Sequence, residues 1–316
     1  DCEIDIRGEM PFTLSAPNAL RLGFWELTLP QGQRAVVETA PLIDQLETGK
    51  LCYPIVQRNY FGCPKEIDFS ATTASFSHKF FVEEGAGAEE PVYLVMEPGT
   101  FLGKWSLAVN GTVLTEKDFT EKYIYEKHNL VTEVTSLLHT GENEITASVE
   151  VEVSFGGMRN PLYLFGSFGV EKRGDLWHLT EVKKEGSMEN LPACGLPFYY
   201  GEVVYTTELT LPEDGELWKK EVLRISMEAD WLTDSVRLVL DGKEKKPCAW
   251  KPYVFQVPAD WVKPGRNTVQ IKVRNTAIGL YEGQFFNREE HQYELVGAQD
   301  NAEDLSGQKW ETPGSL

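Results

Sequence analysis

Apolar and polar positions alternate one by one over long runs of this chain. From Ile145 to Val153, the apolar Ile145, Ala147, Val149, Val151 and Val153 are separated by Thr146, Ser148, Glu150 and Glu152. Further on, Val269, Ile271 and Val273 alternate with Gln270, Lys272 and Arg274. A period of two sends successive side chains to opposite faces, so each run predicts a strand with one face buried and one wet. Antiparallel sheets packed on one side read this way. No helical period persists beyond about three turns and strands do not alternate with helices, which predicts an all-β fold.

The pattern occurs twice. The first set is "FSHKFFVEE", "PVYLVMEP", "WSLAVNGTVL", "VTSLLHTGENEITASVEVEV" and "PLYLFGSFGV"; the second is "YTTELTLPED", "EVLRISMEA", "SVRLVLDGKEK", "VPADWVKPGRNTVQIKVRN" and "YEGQFFNREEHQYELV". Corresponding points lie 129 (Phe76 to Tyr205), 131 (Asn110 to Asp241) and 124 (Gly141 to Gly265) positions apart. A nearly constant offset is what a duplicated unit leaves behind. Asn110-Gly111 and Asp241-Gly242 follow apolar runs and tolerate positive φ, so both predict tight hairpins. Gly141-Glu142-Asn143 and Gly265-Arg266-Asn267 close a short helical turn and launch the following strand, with Val134, Leu137 and Leu138 at helical spacing in the first turn and Trp261 in the second. The expected architecture is two tandem antiparallel β-sandwiches behind an irregular N-terminal lead-in. The lead-in spans 1–70 and packs on the first sandwich, which spans 71–172. A connector containing the strand "DLWHLTEV" covers 173–199, the second sandwich 200–297, and a polar tail 298–316.

The order of two strands, a "VNG" or "LDG" hairpin, an "LLHTGEN" or "VKPGRN" turn and an alternating strand resembles the sugar-binding jelly-roll domain of family 2-type glycoside hydrolases, one of the galactose-binding-domain-like sandwiches. "GLPFYYGEVVYTTELTL" is similar to the entry strand of the last such domain in large bacterial hydrolases, including rhamnosidase-like ones, and "PNALRLGFWELTL" to the segment leading out of their catalytic region. The resemblance implies jelly-roll sandwiches that recognise carbohydrate, or brace a catalytic domain of the same parent enzyme, in polysaccharide degradation. The compartment is not legible in the sequence, and between settings a secreted or periplasmic one is favoured. One departure stands out. From hairpin to Gly-x-Asn the first copy spans 33 positions (143 − 110) and the second 26 (267 − 241), so the first carries a longer loop, "TEKDFTEKYIYEKHN", and the two need not share a ligand.

Charge narrows the partners. The 316 residues hold 30 basic and 49 acidic side chains, a net charge of −19, and no basic run offsets it. Such a field repels nucleic acid and anionic membrane surfaces, and no apolar stretch reaches the roughly 18 residues of a membrane helix. Five cysteines (Cys2, Cys52, Cys63, Cys194, Cys248) form no metal-binding spacing and read as small buried hydrophobes. The first residue, Asp1, leads into no signal peptide, as expected for a mature form or a piece of a longer protein.

The catalytic motifs are missing. Glycoside hydrolysis needs two carboxylates held across the bond, yet no barrel-like series of strands and helices delivers acids at strand ends. "LFGSFGV" lacks the nucleophile-elbow spacing, the five histidines are scattered, and the acidic "EEGAGAEEP" suits a surface turn. This chain is therefore expected to be non-catalytic and without cofactor, although the acidic loop from Glu116 to Glu121 offers oxygen ligands for a structural calcium ion. Asn110-Gly111-Thr112 fits a glycosylation pattern, but the Asp-Gly at the same place in the second copy favours a hairpin turn. Sugar recognition uses aromatic faces flanked by polar groups, on connections that strands leave free. The candidates are Trp105, Tyr123 and Tyr125 in the first copy, and Trp231, Trp250, Tyr253 and Tyr281 in the second. Core packing competes for each of them. Trp177 and Trp261 are assigned to the core; Arg159 could contact a carboxylate or hydroxyl, but a plain surface arginine is the favoured reading. Three readings stay open: a carbohydrate-binding accessory pair, a purely structural brace, and a self-contained glycosidase with an unrecognised site.

Overall fold

The computed structural model describes residues 9–30, 32, 34–39, 72–87, 90–152, 156–215, 221–227, 232, 234–287 and 292–295. They form an all-β protein with two hydrophobic cores. No helix among them is long and apolar enough to cross a membrane.

The first core lies between a five-stranded and an eight-stranded sheet. In the five-stranded sheet, Thr120–Lys122, Asn129–Glu133, Tyr93–Met96, Leu162–Gly166 and Asn18–Leu22 run side by side. In the other, the order is Gly169–Arg173, Leu176–Thr180, Thr72–Val82, Gly141–Val151, Lys104–Val109 and Thr112–Leu114, with Phe24–Thr28 and Arg34–Glu38 branching from Thr72–Val82. The alternation in the sequence is obeyed. Ile145, Ala147, Val149 and Val151 are buried beside Ala74 and Phe76, while Thr146, Ser148 and Glu150 face outward. Each fully buried aliphatic or phenylalanine side chain contributes about 1.5–3 kcal/mol. Leu162–Gly166 breaks the pattern because both of its faces are covered. Leu162 and Leu164 meet the central core, whereas Tyr163 and Phe165 lie under Tyr125 and the short helix Ile278–Glu282, with the Tyr163 hydroxyl donating to Leu280 O at 3.2 Å.

Around the second core, Glu185–Gly186, Met10–Leu14, Glu202–Leu211, Gly265–Arg274, Ser235–Leu240 and Lys243–Glu244 form a six-stranded sheet, packed against the pair Val222–Met227 and Tyr253–Pro258. The ladders correspond between halves. Gly141–Val151 lies between Thr72–Val82 and Lys104–Val109, as Gly265–Arg274 lies between Glu202–Leu211 and Ser235–Leu240. Asn129–Glu133 pairs with Tyr93–Met96, as Tyr253–Pro258 pairs with Val222–Met227. Both hairpins form as expected, with φ of 48° at Asn110 and 44° at Asp241 followed by glycines at 81° and 82°.

The lead-in is shared between the halves. Asn18–Leu22 and Phe24–Thr28 enter the two sheets of the first core, but Met10–Leu14 pairs with Glu202–Leu211 of the second. Without that strand Glu202–Leu211 would present an unpaired edge. The connector is shared too: Leu176–Thr180 runs parallel to Thr72–Val82, the one parallel ladder among the described residues, while Glu185–Gly186 pairs with Met10–Leu14. At the seam, the Asn18 side-chain amide donates to Phe168 O at 2.8 Å and to Gly195 O at 2.9 Å. Of the cysteines, Cys194 is buried and Cys248 is half-buried, its thiol on Trp250 O, contrary to a uniformly buried set. The other three lie outside the described residues, as do all of 40–71 and the tail.

Candidate functional site: a cleft at the end of the first sandwich

Trp105 sits at the start of the strand Lys104–Val109 on its inward side, where the two sheets of the first core open at one end. Its ring stacks on Phe101 at 4.9 Å and meets the edge of Phe119 at 6.2 Å. Phe119 closes the turn Glu116–Asp118, which Asp118 fixes by accepting from the backbone and hydroxyl of Thr115 at 2.7 and 2.8 Å. Gly99 adopts φ of 77° in the turn between Met96 and Phe101, and its carbonyl accepts from Arg159 Nε and Nη2 at 3.2 and 2.9 Å. These elements enclose a cleft of about 300 Å³ whose walls include Trp105, Phe119 and Leu130, with Glu97, Thr100 and Glu116 as its polar side chains.

Two polar groups here stand out. Glu97 is half-buried and accepts from the Tyr125 hydroxyl at 3.3 Å. Burial, and next the nearby Glu126 charge, push its pKa above the usual carboxylate range, while the Tyr125 hydrogen bond pulls the other way. Thr100 is 1% exposed and its hydroxyl has no hydrogen-bond partner, which is costly for a buried polar group. An aromatic wall beside carboxylate and hydroxyl groups suits a polyhydroxylated ring: the wall meets C–H faces and the oxygens accept from hydroxyls.

The other aromatic candidates disperse. Tyr125 is buried, meeting Tyr163 at 5.1 Å and Tyr281 at 5.7 Å, so it supports the outer layer of the five-stranded sheet rather than forming a platform. Tyr281 is partly exposed beside it. Tyr123 is 70% exposed and stands outside the cleft lining. Trp250 and Tyr253, three positions apart, do not share a platform. Trp250 is 76% exposed, whereas Tyr253 is buried, its hydroxyl donating to Leu232 O at 3.1 Å and Asp234 O at 2.7 Å. Tyr253 opens an alternating strand whose inward set is Tyr253, Phe255 and Val257, and that register commits it to the core. Trp231 lies outside the described residues. Trp177 and Trp261 are half-buried at the rims of the two cores, under Lys172 at 5.7 Å and Lys245 at 5.4 Å, rather than inside them.

The acidic loop divides its carboxylates: Asp118 holds Thr115, and Glu121 accepts from His128 at 2.7 Å. Among the described residues no three His, Cys, Asp or Glu side chains converge as metal ligands. The Asn110 amide donates to Leu137 O and to Asn143 Oδ1, at 2.8 and 2.7 Å, so this side chain is built into the hairpin. A second groove of about 300 Å³ crosses the outer face of the eight-stranded sheet over Ser75, Ser77, Ser106, Thr146 and Ser148. Among the described residues it has no exposed aromatic wall. Of the residues around this cleft, the sequence singles out Trp105 as a candidate but not Glu97 or Thr100, whose only signal is their place in the short turn between Met96 and Phe101.

No protein-family model matches the chain, and no curated protein matches it. Solved structures similar to it include a β-D-mannosidase from Dictyoglomus thermophilum (13% identity, TM-score 0.36, covering 85% of this chain and 32% of that one). Also similar are a β-D-glucuronidase of the same organism (12%, TM-score 0.32, 84% and 42%) and a β-galacturonidase from Eisenbergiella tayi (12%, TM-score 0.28, 84% and 38%). The chain thus spans about a third to two fifths of those proteins.

Proposed function

We propose that this chain is a non-catalytic β-sandwich pair of a larger glycoside hydrolase, built from two jelly-roll copies, and that its first sandwich contacts carbohydrate through the cleft beside Trp105. The observation that carries the reading is the composition of that cleft, where an aromatic wall, a half-buried carboxylate and a partnerless buried hydroxyl share about 300 Å³. The resemblance of the "VNG" hairpin and Gly-x-Asn turn to sugar-binding jelly-roll domains supports the same reading. The catalytic domain of the same parent protein is the second partner.

Affinity electrophoresis of this chain through gels containing different soluble polysaccharides tests the proposal. Retardation that Trp105→Phe keeps and Trp105→Ala loses, with both variants folded by circular dichroism, supports it. Mobility unchanged in every gel leaves the purely structural role, which the inward commitment of Tyr125 and Tyr253 favours. Release of sugar by the pure chain, abolished by one Asp or Glu substitution, would show instead that it is an enzyme.

A further inference from the structure

The cleft beside Trp105 is bounded by carboxylates, and among the described residues no lysine or arginine side chain lines it. Glu116 stands on the turn that Phe119 closes, Glu97 on the turn after Met96, and Glu126 lies near enough to Glu97 to act on its charge. The guanidinium at the margin, Arg159, directs Nε and Nη2 at Gly99 O. Independently of the acids, Thr100 brings a buried hydroxyl without a partner to the same lining.

We infer that the cleft selects sugars by charge, taking an amine-bearing glycosyl unit ahead of a neutral one and excluding a uronic acid, with Glu97 and Glu116 as the selecting groups. This rests on the reading that the cleft contacts sugar. A uronic acid brings a further carboxylate beside half-buried Glu97, where charges are less screened than in open water, and beside exposed Glu116, which adds repulsion at low salt. A protonated amine forms charge-assisted hydrogen bonds with the same oxygens. A neutral hydroxyl donates to them without either effect.

The test uses matched oligosaccharides differing in one substituent: amino sugar, neutral sugar and uronic acid, in both gluco and galacto configuration. Each is titrated against the chain by ligand-observed NMR near pH 6. At low ionic strength the amino sugar is expected to bind at least about tenfold more tightly than its uronic counterpart. The gap should close in about 1 M salt, where the screening length falls to about 3 Å. It should also close in the Glu97→Gln/Glu116→Gln variant, read as the ratio of amino-sugar to uronic-acid affinity so that any loss of contact common to all the sugars cancels. Glutamine keeps the acceptor for Tyr125, so a thermal melt close to that of the unaltered protein is expected. Uronic acid binding as well as or better than the amino sugar overturns the charge selection and leaves sugar contact standing. Such binding lost in Arg159→Gln would name Arg159 as the selecting group instead. A preference that survives the double variant overturns the assignment of Glu97 and Glu116. Binding of none of the sugars refutes sugar contact itself, and with it this inference.

Discussion

Asn143 and Asn267, 124 positions apart (267 − 143), hold their two loops with the same hydrogen bonds. Asn143 Nδ2 donates to His139 O and Gly141 O at 2.7 and 2.9 Å, and its Oδ1 accepts from His139 N at 3.0 Å. Asn267 Nδ2 donates to Lys263 O and Gly265 O at 2.8 and 3.0 Å, and its Oδ1 accepts from Lys263 N at 2.8 Å. Both side chains are 1% exposed. Each therefore satisfies backbone groups that would otherwise be buried without partners.

Asn143→Ala and Asn267→Ala should each lose about 2–4 kcal/mol of stability, since one truncation orphans three backbone groups. Asn→Asp should do nearly as badly, because the carboxylate keeps the acceptor and loses both donors. Chemical denaturation of the single variants checks this. A loss under about 0.5 kcal/mol, ordinary for surface positions, would show that these loops are held by something else.

Trp105 and Trp250 separate the two roles of an aromatic. Trp250→Ala should change stability by less than about 0.5 kcal/mol, because the ring is largely in solvent. Trp105→Ala removes the partner of Phe101 and Phe119 and should cost about 2–4 kcal/mol. Sugar retardation in affinity gels should fall with Trp105 and survive the loss of Trp250. The reverse order would move the candidate site to the second sandwich.

Tyr253→Phe keeps the ring in the second core and deletes a hydroxyl that two carbonyls share. The expected cost is about 1–2 kcal/mol, with sugar retardation unaltered. Lost retardation in a variant as stable as the parent would restore Tyr253 as a ligand contact.

Two half-buried groups should give opposite slopes to stability in mild acid. Burial holds His78 down at about 4, below its usual 6.5, the hydrogen bond to Phe24 O opposing and the Lys172 charge adding to it. The unfolded chain therefore takes up this proton first, and stability falls as pH drops from about 6.5 to 4. Burial raises Asp234 to about 6 from its usual 3.8, against the hydrogen bond from Thr276 N. Here the folded chain takes up the proton first, and stability grows as pH drops from about 6 to 4. His78→Gln should flatten the acid loss by about 1–3 kcal/mol. Asp234→Asn should raise stability at pH 7 and steepen the acid loss. Melts of both variants between pH 4 and 8 check the signs, and slopes changing the same way in both would contradict this account.

The local geometry was legible in the sequence because it depends on near neighbours. Period two set the inward faces of Gly141–Val151 and Gly265–Arg274, Asn-Gly and Asp-Gly set the hairpins, and Gly-x-Asn set the turn before each long strand. Partnership between distant segments was not legible. Met10–Leu14 reads as a loose lead-in, and only the exposed edge of Glu202–Leu211, nearly two hundred residues on, recruits it into the second sheet. The candidate site divides along the same line. Trp105 could be picked out as an aromatic at a strand's start, whereas Glu97 and Thr100 matter only because folding brings their turn to that ring. Tyr253 makes the converse case: in sequence it neighbours an exposed tryptophan, and in space its register points it into the core. A strand's two faces are fixed by its own residues, but which face is covered is settled by what packs on it from elsewhere.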